Sequence, residues 1–441
     1  MSSVSTLPTE LWLQILRSVY DVSLSSDIRL QHYPWVDTLG SKRCRDSVSG
    51  HHRAVVRSIS QVCRTWKMIA KQLRYQEIEV GTSSSSFQDL LVEHQLSSSI
   101  FNETRRLNVT ATWSNNTHDL SSLVQSMPRL EWLQLSTHEI KGLCLLPWLP
   151  SILGPQPRLL YLDLKPSHLR DNAISSASIS LISGLATHLR RLTCAIKYAA
   201  GFDGQAYNAP VFEDLRALQL IRVCCDPGDE EAGREWFSRW HLPSLKQFHI
   251  PMTWEYSTEL LGRGVGAQIE VLDASVRGFL NWFWRSQRVT SSSSSSQAHT
   301  DIPEQLWFLC PRVHTVITSK RLPMPPEARP KLHYIFTYSF RRWAASVDQI
   351  VLDSLTSLLS RWEKQHAANR NYTFSFRYTE LSWQVWAEMR EPSIAHRVQS
   401  TLKRWKDFAE KHQIEVLDGY EVDIRDVAIR SEGLDDSRCD T

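Results

Sequence analysis

The chain has 441 residues, enough for about three domains. Hydrophobic residues at 42% and charged residues at 22% exclude a chain that is disordered throughout. With 50 basic and 47 acidic residues the net charge is +3, so nothing draws the whole molecule to nucleic acid or to an anionic membrane. Eight cysteines without a C-x-x-C pair read as reduced thiols rather than a disulfide framework. The opening MSSVSTLPTELW has neither a basic n-region nor an apolar h-region, and no run of about 18 apolar residues occurs, so the expected location is cytoplasmic and/or nuclear, with no membrane span.

Residues 7–20 predict a helix. Pro8 suits a first turn and Glu10 complements the positive end of the dipole. Leu11, Trp12, Ile15, Leu16 and Val19 then share one apolar face. Residues 54–74 predict a second amphipathic helix. Its stripe runs through Val55, Ile59, Val62, Cys63, Trp66, Ile69, Ala70 and Leu73, with Arg57, Arg64, Lys67, Lys71 and Arg74 outward.

Leu7-Pro8-x-Glu10-Leu11-x-x-x-Ile15-Leu16, followed by Val62-Cys63-Arg64-x-Trp66-x-x-Ile69-Ala70, closely resembles an F-box of the form common in fungal F-box proteins. The resemblance implies a three-helix module that docks on the Skp adaptor and through it on a cullin–RING ubiquitin ligase. On that resemblance Leu7, Pro8, Leu11, Ile15, Leu16, Val62, Trp66 and Ile69 form or support the adaptor contact. The chain departs from the family between about 21 and 54, where a polar, Gly/Ser-bearing stretch replaces a short connection and reads as an inserted loop.

The next region carries a worn repeat of the form L-x-x-L-x-L. It appears as PRLEWLQL (128–135), PRLLYLDL (157–164), HLRRLTC (188–194), EDLRALQL (213–220), PSLKQFHI (243–250), AQIEVLDA (267–274), PRVHTVIT (311–318) and PKLHYIFT (330–337), with RRLNVT (105–110) as an earlier copy. First apolar positions at 107, 130, 159, 189, 215, 245, 269, 313 and 332 step mostly by the 20–29 residues of leucine-rich repeats, or close to it. Helical spacing intervenes at Leu120, Leu123, Val124, Met127, at Leu181, Ile182, Leu185, at Trp236, Phe237, Trp240 and at Leu306, Leu309, Cys310. The expected fold class is therefore α/β: an N-terminal helical F-box (1–80), then an irregular leucine-rich-repeat solenoid (81–340) of parallel strands backed by helices. Residues 341–420 read as closing repeats or a cap, with helices at 346–366 and 394–412 and strands at 371–380 and 413–420; residues 421–441 read as a frayed polar tail.

Catalytic motifs are missing. There is no Walker-type or dinucleotide glycine loop, no H-E-x-x-H and no G-x-S-x-G elbow, and Gly262-Arg263-Gly264-Val265-Gly266 reads as a turn. The expectation is a non-enzyme with no cofactor and no metal. The F-box resemblance implies a substrate-recognition subunit of an SCF-type ligase, or alternatively an F-box-like repeat scaffold that binds a protein without promoting ubiquitin transfer. Nucleic acid and membrane are not expected partners. Alternate strand residues should face solvent and hold the protein target: Trp132, Gln134, Tyr161, Asp163, Arg191, Thr193, Gln247, His249 and Asp273.

Overall fold

The computed structural model describes residues 75–80, 98–111, 117–137, 158–165, 174–198, 208–225, 228–249, 255–273, 304–318, 332–336, 374–378, 392–418 and 422–428, with 89–92, 153–154 and single helical residues near the N-terminus and within 356–387. These fall into two compact units divided at 272/273, with 305–312 returning to the first.

The first unit is built on β1 (Glu77–Val80), β2 (Arg106–Ala111), β3 (Trp132–Thr137), β4 (Tyr161–Lys165), β5 (Ile174–Ser175), β6 (Arg191–Tyr198), β7 (Ala217–Cys225), β8 (Gln247–His249) and β9 (Val271–Asp273). They lie side by side in chain order, except that β5 pairs with β6 off the main path. The registered pairs are parallel. Between them run α1 (Thr117–Gln125), α2 (Ser176–Leu185), α3 (Glu230–Ser238), α4 (Glu255–Gly262) and α5 (Glu304–Leu309). The expected parallel strands alternating with helices are present.

Each repeat is assembled from the same backbone parts. A turn comes first: the carbonyls of Met127, Ala186, Phe212, Leu242 and Gly266 accept the N–H of Leu130, Leu189, Leu215, Leu245 and Ile269 at 3.0–3.5 Å. A paired brace follows. The carbonyls of Gln76, Arg105, Glu131, Leu160, Arg190, Arg216 and Lys246 each accept two consecutive N–H groups of the next strand, at 2.7–3.1 Å. The strand then buries its second apolar position in one registered row, Leu107, Leu133, Leu162, Leu192, Leu218 and Phe248. Every residue of that row is out of water, which is the hydrophobic gain that pays for ordering the chain.

The brace corrects the repeat alignment. Leu107 stands opposite Leu133, not Leu130, so the β2 copy is shifted by three residues. Thr104 occupies the first apolar place, donating its N–H to the Phe101 carbonyl and its hydroxyl to the Tyr75 carbonyl at 2.7 Å. One further strand, β1, begins within the span assigned to the F-box, because Gln76 starts the braces. Within α2 Leu181 is 58% exposed, since the buried face runs through Ile179, Ile182 and Ser183 and Leu181 lies to one side of it. The glycine run does turn: Gly264 takes φ +91°, and a Cβ on Gly266 would stand 2.5 Å from the Leu309 carbonyl oxygen, so only glycine lets α5 approach.

Near the N-terminus, residues 11, 14 and 15 are helical, as are 57, 58, 60, 64, 66, 67 and 70. The single helix expected over 54–74 is interrupted by a turn at 61–62, where the Gln61 N–H reaches the Ser58 carbonyl at 3.2 Å. Its apolar stripe is thus divided between two helical segments.

The second unit contains β10 (Thr315–Thr318), β11 (Leu332–Phe336), β12 (Phe374–Tyr378) and β13 (Glu415–Leu417), parallel and in chain order, with α6 (Pro392–His412). α6 buries Val398, Leu402, Trp405 and Ala409 at helical spacing. It ends as Gln413 turns left-handed (φ 53°) and the Ile414 N–H returns to the Ala409 carbonyl at 2.9 Å. The start of the expected frayed tail is folded. Asp423 bridges to Leu417 and caps a short 3-10 helix (Ile424–Asp426), and Ile424 and Val427 are buried.

Candidate protein-binding surfaces

Two surfaces concentrate the residues singled out by sequence. The first is the strand face opposite the leucine row. Registration places Arg106, Trp132, Tyr161, Arg191, Ala217 and Gln247 in one row, and Asn108, Gln134, Asp163, Thr193, Gln219 and His249 in a second. Asp273 ends β9. The expected target residues are therefore brought together on one face of the sheet. Arg106 and Asn108 were missed because of the three-residue shift. Ala217 and Gln219 follow the same L-x-x-L-x-L offset and were legible by it.

Their expected exposure is not what the fold provides. Gln134, Asp163, Arg191, Thr193, Gln247, His249 and Asp273 are buried, whereas Trp132 and Tyr161 are half-buried. In-register strands stand about 4.8 Å apart, so a side chain is flanked on both sides by its own row. Thr193 Oγ1 donates to Gln219 Oε1 at 3.3 Å in this way. Long side chains run along the sheet instead of out from it. The Arg191 guanidinium, on β6, lies 5.8 Å from the Trp132 ring centre on β3. Arg106 lies over the same ring at 5.2 Å, and Trp132 stacks on Tyr161 at 5.0 Å and 25°. The accessible part of the face is thus the aromatic pair with Arg106, toward β2 and β3.

The second set consists of exposed apolar side chains near the N-terminus. Leu11 is 42%, Ile15 44% and Val62 59% exposed, each on or beside a helical segment. Trp66 is half-buried. Leu7, Pro8, Leu16 and Ile69 lie outside the described residues. Exposed branched side chains of this size are what a docking surface offers and a folded core does not.

Reactive groups are quieted by burial. Cys194 faces the leucine side of β6; desolvation, then the Asp163 charge, push its thiol well above the usual range. Cys225 accepts a hydrogen bond from the Tyr256 hydroxyl at 3.0 Å, and burial first, that bond second, raise the tyrosine pKa. Among the described residues no group of three or more His, Cys, Asp or Glu is placed to hold a metal ion, and no helix is long and apolar enough to cross a membrane.

No family model matches this chain, and no curated protein matches it.

Proposed function

We propose that this protein is the substrate-recognition subunit of an SCF-type cullin–RING ubiquitin ligase, joined to the Skp adaptor by its N-terminal module and to a protein target by the parallel sheet. The observation that carries the reading is the exposure of Leu11, Ile15 and Val62 at the F-box-like positions of the sequence. Apolar groups that the chain itself leaves in water supply hot-spot anchors for a partner groove. The turn at 61–62, which divides one long stripe into two helical segments, is compatible with a module of three short helices. Further support comes from the repeated sheet, which offers a broad rigid platform. In this reading the chain contributes proximity, and the chemistry belongs to the assembled ligase.

Co-expression with the Skp adaptor tests it. Leu11→Asp combined with Val62→Asp places two charges on side chains that are already exposed, so folding is kept while a buried contact is lost. Capture of the adaptor, and of the cullin with it, should disappear. Unchanged adaptor capture by the double variant overturns the reading. Adaptor bound without cullin would favour the non-degradative scaffold.

A further inference from the structure

The residue immediately before each strand of the first unit forms a column along one edge of the sheet, because its carbonyl makes the paired brace to the next strand. Toward β2 the column is neutralised by Arg105 with Glu131, 3.9 Å apart, and at the β9 end by Lys246 with Glu270 at 2.8 Å. Between these pairs stand Arg190 and Arg216. They occupy successive repeats, with the Arg190 carbonyl accepting the Arg216 N–H at 2.8 Å, and both side chains are exposed. Among the described residues neither makes an ion pair. The nearby carboxylates face histidines instead: Asp214 meets His188 at 2.8 Å, and Glu213 meets His241 at 3.7 Å.

Two like charges on neighbouring strands repel each other, and among the described residues no carboxylate is paired with either. Their backbones are fixed in adjacent registers by the brace, which sets the two cationic residues side by side at the sheet edge. We propose that Arg190 and Arg216 dock a short acidic segment of a protein, through two carboxylates set side by side. Guanidinium forks match carboxylates in bidentate geometry, and strand spacing of about 4.8 Å places the two forks within reach of nearby acidic side chains of one extended chain. The size of the free site argues against nucleic acid. The pair spans two strands and is flanked by the neutral Leu160 and by Lys246, itself paired with Glu270, whereas a phosphate backbone is tracked over several nucleotides with aromatic rings to stack on. This surface is separate from the adaptor contact and does not depend on it.

The test uses the full chain and a short fluorescein-labelled oligoglutamate peptide, read by anisotropy at low salt. Arg190→Ala with Arg216→Ala should weaken binding by about fivefold to tenfold, as expected for the loss of two exposed charge pairs. Added salt should weaken the wild type similarly. Lys403→Ala, an exposed cation of α6, should leave binding unchanged and so controls for general charge. The thermal midpoint and adaptor capture of the double variant should match the wild type, which separates this outcome from failure of the ligase reading. Equal peptide affinity in wild type and double variant overturns the proposal. So does tighter binding of single-stranded oligothymidylate that the same two substitutions abolish.

Discussion

Both units lay parallel strands in a row, but a buried side-chain anchor is prominent only in the second among the described residues. In the first, successive strands are tied by one backbone device, a carbonyl that takes two N–H groups of its neighbour, repeated from Gln76 to Lys246. Side chains there need only be apolar at the right offset, and the copies tolerate Thr104, Phe248 or Gly266 at places where others carry leucine or another apolar residue. The second unit uses backbone ladders as well, with the His314 carbonyl accepting the His333 N–H at 2.7 Å, and adds a buried side-chain anchor. Trp383 is fully buried; its backbone N–H donates to Asp418 Oδ2 at 2.9 Å and its indole N–H to the Val416 carbonyl at 3.3 Å. The other oxygen of Asp418 accepts the Val422 N–H at 3.0 Å and holds the closing turn. A backbone device makes a fold robust to sequence drift; a side-chain anchor concentrates the stability in a few residues.

Four substitutions sharpen this contrast. Trp383→Ala should have the largest effect, about 3–5 kcal/mol from cavity and lost contacts, with the indole's hydrogen bond to the Val416 carbonyl lost as well. Hydrogen exchange should report the loss at β12 and β13. Native-like protection there would sink the idea of a single-anchor unit. Leu192→Ala, in the middle of the leucine row, should cost about 2–5 kcal/mol and loosen β6 and its flanking strands. Protection confined to loss at β6 alone would mean the repeats do not share one core.

Asp418→Ala should cost about 1–3 kcal/mol, because two backbone donors lose a buried acceptor. Denaturant unfolding measures it, and Asp418→Asn, which keeps one acceptor oxygen, should recover part of the loss. Smallest is Arg129→Ala, which breaks an exposed pair with Glu103 (2.6 Å) and should cost at most about 1 kcal/mol, less in high salt. An exposed pair that proved worth as much as Asp418 would overturn the ranking of the buried anchor over surface charge.

Much of the first unit was legible because its signal is periodic. L-x-x-L-x-L recurs at similar steps, and each copy became a turn, a buried leucine and a strand. The copy at 105–110 was misaligned because Thr104 is polar and carries no hydrophobic signal, though its hydroxyl is satisfied by a distant carbonyl. The helix over 394–412 and the strand over 371–380 were readable by pattern and appear as Pro392–His412 and Phe374–Tyr378. The folded start of the tail was not, since the seven acidic residues of 421–441 dominate a compositional reading and its apolar residues keep no helix or strand period.

What the sequence determined by itself is the periodic part: which residues face the core, that strands and helices alternate, and where apolar groups gather near the N-terminus. These follow from local spacing, because burial of one face per repeat is a local requirement. Exposure of the polar strand face was decided only by tertiary structure. Whether Asp163 or Arg191 meets water depends on registration across neighbouring strands, and Arg191 lies along the sheet because Trp132 stands two strands away. That Arg190 and Arg216 make no ion pair among the described residues is likewise invisible in one dimension, since Asp214 and Glu213 turn to His188 and His241 instead.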